Sequence, residues 1–220
     1  MNMKKISAIE AQKKNPNRVN IYLDGEYAFA MARIVVAWLR VGQMLDDDKI
    51  AELQAQDARE RAYQQAMLYL SYRARSEAEI RQNLRKHEYP ESAIDETLER
   101  LRQARLADDT QFAQAWVENR STFRPRSRRA LTMELRQKGL DDETVQTALA
   151  GVDEGTLAYE AARKRAGRFQ GLEVNEFGKK LSEFLARRGF SYEIITPTVK
   201  RIWTEIHSGQ EQSLDDEENL

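Results

Sequence analysis

Six apolar positions recur three times along this chain, and that recurrence restricts the fold more than any other feature. Ile80, Leu84, Tyr89, Ile94, Leu98 and Leu101 fall at helical spacing. Leu131, Leu135, Leu140, Val145, Leu149 and Val152 repeat them 51 residues on, and Leu181, Leu185, Phe190, Ile195, Val199 and Ile202 a further 50 along. Steps of three and four residues put such side chains on one face of a helix. The break before Tyr89, Leu140 and Phe190 matches too, with Gly139 and Gly189 as left-handed helix stops in two copies. A leading helix precedes each pair, matched by Ala62 with Ala113 and Ala66 with Val117. Each unit therefore reads as three helices that need their neighbours to finish a core.

Ahead of the repeats the period changes. Val19, Ile21 and Leu23 alternate with polar residues, Asp24-Gly25 follows, and then Tyr27, Phe29 and Met31 alternate in turn. Alternation on both sides of Asp-Gly predicts a β-hairpin with a tight turn. The apolar stretch 32–41 predicts a short helix packed on it, ended by Gly42, and the polar, basic segment 1–16 predicts a frayed end. The fold class is thus mainly all-α: three tandem three-helix repeats in an elongated array behind a small hairpin-and-helix cap. The expected boundaries are 1–50 for the cap, 51–107 for the first repeat with its long lead helix, 108–153 and 154–207 for the second and third, and 208–220 for a disordered acidic tail.

Several chemistries lack the residues they need. The chain has no cysteine, which removes disulfides, thiol catalysis and cysteine-based metal sites. His87 and His207 are the only histidines and have no partner at metal-ligand or triad spacing. No glycine-rich loop follows a strand to cradle a phosphate. Asp46-Asp47-Asp48 reads as a helix start, and Asp108-Asp109 and Asp141-Asp142 as caps. No catalytic residue, metal or cofactor is nominated. No apolar run reaches a membrane span and the first residues lack a signal-peptide core, so the expectation is a cytoplasmic protein.

Charge carries the functional signal. Lys+Arg number 35 against 36 Asp+Glu, a net charge of −1, but the signs are unevenly spread. Arg73-Ala-Arg75-Ser76 returns 51 residues on as Arg124-Pro-Arg126-Ser127. In each case arginines precede a serine suited to cap a helix, where the partial positive charge of the helix end makes them poor choices for stability alone. They suit an anion. Arg120, Arg128, Arg129 and Lys138 extend the second group, whose span holds one acid, Glu134; Arg81, Arg85 and Lys86 extend the first. Glu173–Phe177 replaces the motif in the third unit, so the fold does not require it. Trp116, after Phe112 and Ala113 at helical spacing, reads as core.

Three stretches together resemble the RecX family of bacterial recombination regulators. They are Tyr69 to Glu79 (YLSYRARSEAE) with Leu84; Leu106-Ala-Asp108-Asp109-x-x-Phe112-Ala113-x-x-Trp116-Val117-x-x-Arg120; and Ser127-x-x-x-Leu131-x-x-Glu134-Leu135-x-x-Lys138-Gly139. The resemblance covers about residues 60–150, and 155–207 fits as a weaker third unit. It implies a curved array of three-helix repeats, a non-enzymatic regulator that lies in the groove of the RecA–DNA filament and restrains RecA ATPase, strand exchange and repressor cleavage. The implied partners are the RecA filament and DNA, single- or double-stranded and bound through phosphates without marked sequence preference, with the protein a monomer. The contacts are assigned to Arg73, Arg75, Arg120, Arg124, Arg126, Arg128, Arg129 and Lys138. The alternative is a stand-alone helix-turn-helix-like DNA-binding protein reading bases with the Arg128, Arg129 and Thr132 face. A solenoid scaffold indifferent to DNA is the third class.

Overall fold

The computed structural model describes residues 3–217, with side chains described through residue 207. Two compact units divide between Asp108 and Asp109. The first holds strands β1 (Lys4–Ala11), β2 (Arg18–Leu23), β3 (Glu26–Ala32) and β4 (Met44–Leu45), then helices α1 (Asp47–Tyr72), α2 (Glu77–Lys86) and α3 (Glu91–Gln103). The second holds α4 (Asp109–Phe123), α5 (Arg128–Gln137), α6 (Asp142–Leu149), α7 (Glu154–Ala166), a 3-10 turn at Gly167–Phe169, α8 (Val174–Ala186) and α9 (Tyr192–Glu217).

The predicted hairpin forms, and it is part of something larger. Asp24 and Gly25 both take positive φ, at 51° and 91°, which lets the two-residue turn follow the strands' twist. The sheet has four strands in the order β3-β2-β1-β4, all antiparallel. The segment expected to fray instead supplies β1, an inner strand. Its only buried side chain is Ile6, so sequence alternation is weak; pairing with β2 and β4 supplies the hydrogen bonds that hold it. The expected helix over 32–41 does not form either. Val35 donates to the Ala32 carbonyl and Leu39 to that of Val36, both three-residue closures, so the segment is a run of turns. Ile34, Val35 and Val36 are β-branched in succession, which disfavours a helix. The turns fold Val36 and Leu39 onto the sheet and leave Ile34 and Trp38 exposed.

Helix α1 serves two cores. Asp46 caps it by accepting from the Lys49 N–H at 2.7 Å. Its first half delivers Leu53 to the sheet core; its second half delivers Ala62 and Ala66 to the core of the first repeat, with Ile80, Leu84, Ile94, Leu98 and Leu101. Asp57 lies between the two. Its carboxylate is buried, accepts the Ala32 N–H at 2.6 Å and faces the Arg18 guanidinium at 3.3 Å, so it ties α1 to β3 and β2.

In the second unit the second and third repeats share one core, from Phe112 to Ile202. The recurring apolar positions are buried in all three copies except Tyr89, Val152 and Val199, which are half-buried. The lead helix of the third repeat buries Ala162 and Ala166, one residue short of the register set by Ala113 and Val117, and so escapes a fixed-offset comparison. Backbone helix continues to Glu217, where composition predicts a disordered acidic tail; the side chains beyond 207, and residues 218–220 altogether, lie outside the described residues.

Candidate functional site

The two Arg-x-Arg-Ser motifs fold alike and are neutralised differently. In the first, the Ser76 hydroxyl accepts the Glu79 N–H at 3.2 Å and the Glu79 carboxylate accepts the Ser76 N–H at 3.4 Å, a reciprocal cap. The same carboxylate takes Arg73 in a fork, at 3.0 and 3.2 Å. Arg73 is therefore committed to its own helix cap. The Arg75 guanidinium lies 3.9 Å from the centre of the Tyr69 ring, and its buried Nε has no hydrogen-bond partner. The rest of the basic group in this repeat is largely paired: Arg81 meets Glu91 and Asp95, and Arg85 meets Glu91. The hydrogen bond from Arg85 holds the Glu91 carboxyl below its ordinary range, with the charges of Arg85 and Arg81 adding to it.

In the second motif Ser127 caps α5 by accepting the Ala130 N–H at 3.1 Å. Ala130 stands where the first copy has Glu79, so no side chain returns the bond. The Ser127 N–H goes instead to the Arg188 carbonyl at 3.1 Å, and Arg188 Nη1 donates to the Pro125 carbonyl at 2.8 Å. The backbone donor that a side chain meets in the first copy is thus met by a tertiary contact in the second. Gly189 makes the approach possible: its φ is +90°, and a Cβ there would stand 2.5 Å from Ser127 Oγ. Gly189→Ala must pay for the left-handed backbone and displace the cap as well, about 2–3 kcal/mol together. Gly42→Ala, at φ +94° in open space, pays only the backbone part, about 1–2 kcal/mol. Urea denaturation compares them; equal losses would mean that the contact with Ser127 contributes nothing.

Glu134 is the acid at the centre of this copy. Its carboxylate accepts Trp116 Nε1 at 2.8 Å and Arg120 Nε at 2.7 Å, and pairs with Arg126 Nη1 at 2.9 Å. Arg120 also lies 4.5 Å from the Trp116 ring centre, and Lys138 Nζ lies 5.1 Å from it. Trp116, expected in the core, is half-buried: it packs on the core while its edge serves the polar network. Arg128 donates to the Val152 carbonyl at 3.3 Å. Arg124 and Arg129 are exposed and meet no carboxylate among the described residues.

The eight sequence-nominated residues therefore separate by circumstance. Arg73, Arg120 and Arg126 have carboxylate partners, Arg75 and Lys138 lie against aromatic rings, Arg128 is held by a carbonyl, and Arg124 and Arg129 face solvent. Each of the two motifs leaves one arginine without an acid among the described residues, Arg75 in one and Arg124 in the other. Arg188 was only part of a general basic background in the sequence, yet burial, followed by the charges of Arg126, Arg124 and Arg165, pushes its guanidinium below the ordinary value. Its position just before the Gly189 helix stop was the available signal. Among the described residues no group of three or more His, Asp or Glu side chains is placed to hold a metal ion. No helix among them is long and apolar enough to cross a membrane.

Family models match the chain in four consecutive blocks: the regulatory protein RecX N-terminal domain over 4–46, and the first, second and third RecX three-helix domains over 62–101, 108–149 and 153–197. The chain belongs to the RecX family. It is 35% identical to the regulatory protein RecX of Bacillus pumilus (strain SAFR-032) over 218 residues, covering 96% of this chain and 81% of that one. With the RecX of Bacillus subtilis (strain 168) it shares 34% over 202 residues, 90% of this chain and 76% of the other. A crystal structure of regulatory protein RecX superposes with a TM-score of 0.67 at 33% identity, covering 87% of this chain and 96% of that one. RecX from Lactobacillus salivarius follows at a TM-score of 0.59 and 25% identity, covering 67% of this chain and 97% of the other. These RecX relatives are named as regulatory proteins, and the RecX models cover all three repeats and the sheet that precedes them.

Proposed function

We propose that this chain binds in the groove of the RecA–DNA filament and restrains RecA's ATPase, strand exchange and coprotease activities without catalysing a reaction itself. The observation that carries the reading is the recurrence of the Arg-x-Arg-Ser motif, in which Arg75 of one copy and Arg124 of the other meet no carboxylate among the described residues. Cations without an acid of their own suit a partner that carries negative charge. Membership of the RecX family supports it. The stand-alone DNA-reading alternative is weakened, since on the face it needs, Arg128 is spent on the Val152 carbonyl and Thr132 is half-buried.

Co-sedimentation with RecA filaments on single-stranded DNA tests the reading. Arg75→Ala, Arg124→Ala and Arg129→Ala combined should lower filament affinity roughly tenfold or more while leaving the melting temperature unchanged. Arg73→Ala with Arg126→Ala should affect stability more than binding, because both are committed to internal carboxylates. Equal loss of binding in the two variants, or no loss in the first, would contradict the assignment.

A further inference from the structure

A second cationic cluster lies within the second unit, beside the Arg124-Pro125-Arg126 motif. The end of α4, the C-terminal half of α7, the 3-10 turn and the end of α8 line a hollow of about 190 Å³. Lys164, Arg165, Arg168 and Arg188 line it with Phe123 and Phe184, and no carboxylate among the described residues does. Several of these side chains are already held in place. Lys164 Nζ donates to the Thr122 carbonyl at 2.6 Å and Arg188 Nη1 to that of Pro125 at 2.8 Å. The guanidinium groups of Arg165 and Arg188 lie 5.4 and 4.5 Å from the centre of the Phe184 ring, and Arg165 is also 5.3 Å from that of Phe169.

Covering Phe184 accounts for two of these cations, Arg165 and Arg188, but not for all four. Like charges gathered around one hollow repel each other, and Arg165 Nε is buried there with no hydrogen-bond partner. Arg188 is partly stripped of water as well. An anion in the hollow would answer the repulsion. The volume limits its size: pockets for whole drug-sized ligands run to roughly 300–1,000 Å³, so this one suits a single phosphate group rather than a complete nucleotide. Phe123 stands at its edge with 71% of its surface exposed, in the position of a platform for an unstacked ring. A duplex hides its base faces; a single strand presents them beside each phosphate.

We propose that this hollow seats one backbone phosphate of a single-stranded nucleic acid, with Phe123 stacking against an adjacent base. The proposal rests on the reading that nucleic acid is among this chain's partners, and adds to it a site and a strand form. Arg168 and Phe123 are both exposed and can be changed without opening the core.

Fluorescence anisotropy with a short labelled oligothymidylate and a duplex of equal length provides the test, using the full chain. Phe123→Ser is expected to weaken single-strand binding roughly fivefold or more and to leave duplex binding unchanged. Arg168→Gln is expected to reduce the salt dependence of single-strand binding by about one phosphate contact. The paired change Arg165→Gln with Arg188→Gln should weaken it further, with circular dichroism confirming that the helices persist. Equal loss on both strand forms, no loss in any variant, or displacement by polyglutamate or inorganic phosphate as effective as by unlabelled oligothymidylate would overturn the proposal. RecA ATPase measured on the same variants separates the two readings. Retained RecA inhibition with unchanged oligonucleotide binding would sink this site alone. Variant-sensitive oligonucleotide binding by a protein that leaves RecA unaffected would support the site and sink the filament reading.

Discussion

Leu135→Ala is expected to lower the unfolding free energy by about 2–5 kcal/mol. Leu135 is fully buried on α5, one turn after the equally buried Leu131, in the core that the second and third repeats share. Truncation removes the transfer energy of the lost carbons and leaves a cavity, since neighbours on several helices cannot all relax into it. The position also tests the repeat register, because Leu84 and Leu185 occupy it in the other copies and are equally buried. Urea denaturation followed by helical circular dichroism measures the change. A loss below about 1 kcal/mol would mean that the site collapses freely and is not the close-packed position described.

Asp57→Ala is expected to cost about 2–4 kcal/mol in the first unit. Two groups lose their partner at once. The Ala32 N–H, now bonded at 2.6 Å, becomes a buried donor without an acceptor, and the Arg18 guanidinium loses its carboxylate. Arg18 retains its bond to the Ala30 carbonyl at 2.7 Å and is 22% exposed, so water recovers part of the loss. Asp57→Asn keeps an acceptor for the amide and gives up the charge, so its cost should be clearly smaller. Thermal melting and urea curves of the three proteins give the order wild type, Asn, Ala. An Ala variant as stable as wild type would show that α1 is held to the sheet by Leu53 and its apolar neighbours alone.

The helical repeats were legible because their information is local and periodic. Ile80, Leu131 and Leu181 are all fully buried, as the spacing requires. The Gly139 and Gly189 stops take φ of +83° and +90°, and the first copy makes the same turn with Glu88 at +60°. β1 was not legible, because Ile6 is its one buried residue and its place in the sheet depends on partners distant in sequence. Asp57 was hidden for a related reason: it sits in the polar half of a long helix and becomes structural only when β3 brings the Ala32 N–H to it. At the candidate site, sequence located the arginines but not their neutralisation. That depends on which carboxylate the fold delivers. Glu79 is replaced by Ala130 in the second copy, and Glu134 by Asn83 in the first, so the same motif keeps a different arginine free in each.

The most direct test of the central claim is the single-stranded-DNA-dependent ATPase of the cognate RecA, titrated with this protein, with naked-DNA binding measured at the same salt. The account predicts inhibition below one regulator per RecA protomer, under conditions where binding to DNA alone is weak. An unchanged ATPase alongside tight, strongly salt-dependent DNA binding would contradict it and favour a protein that acts on DNA by itself.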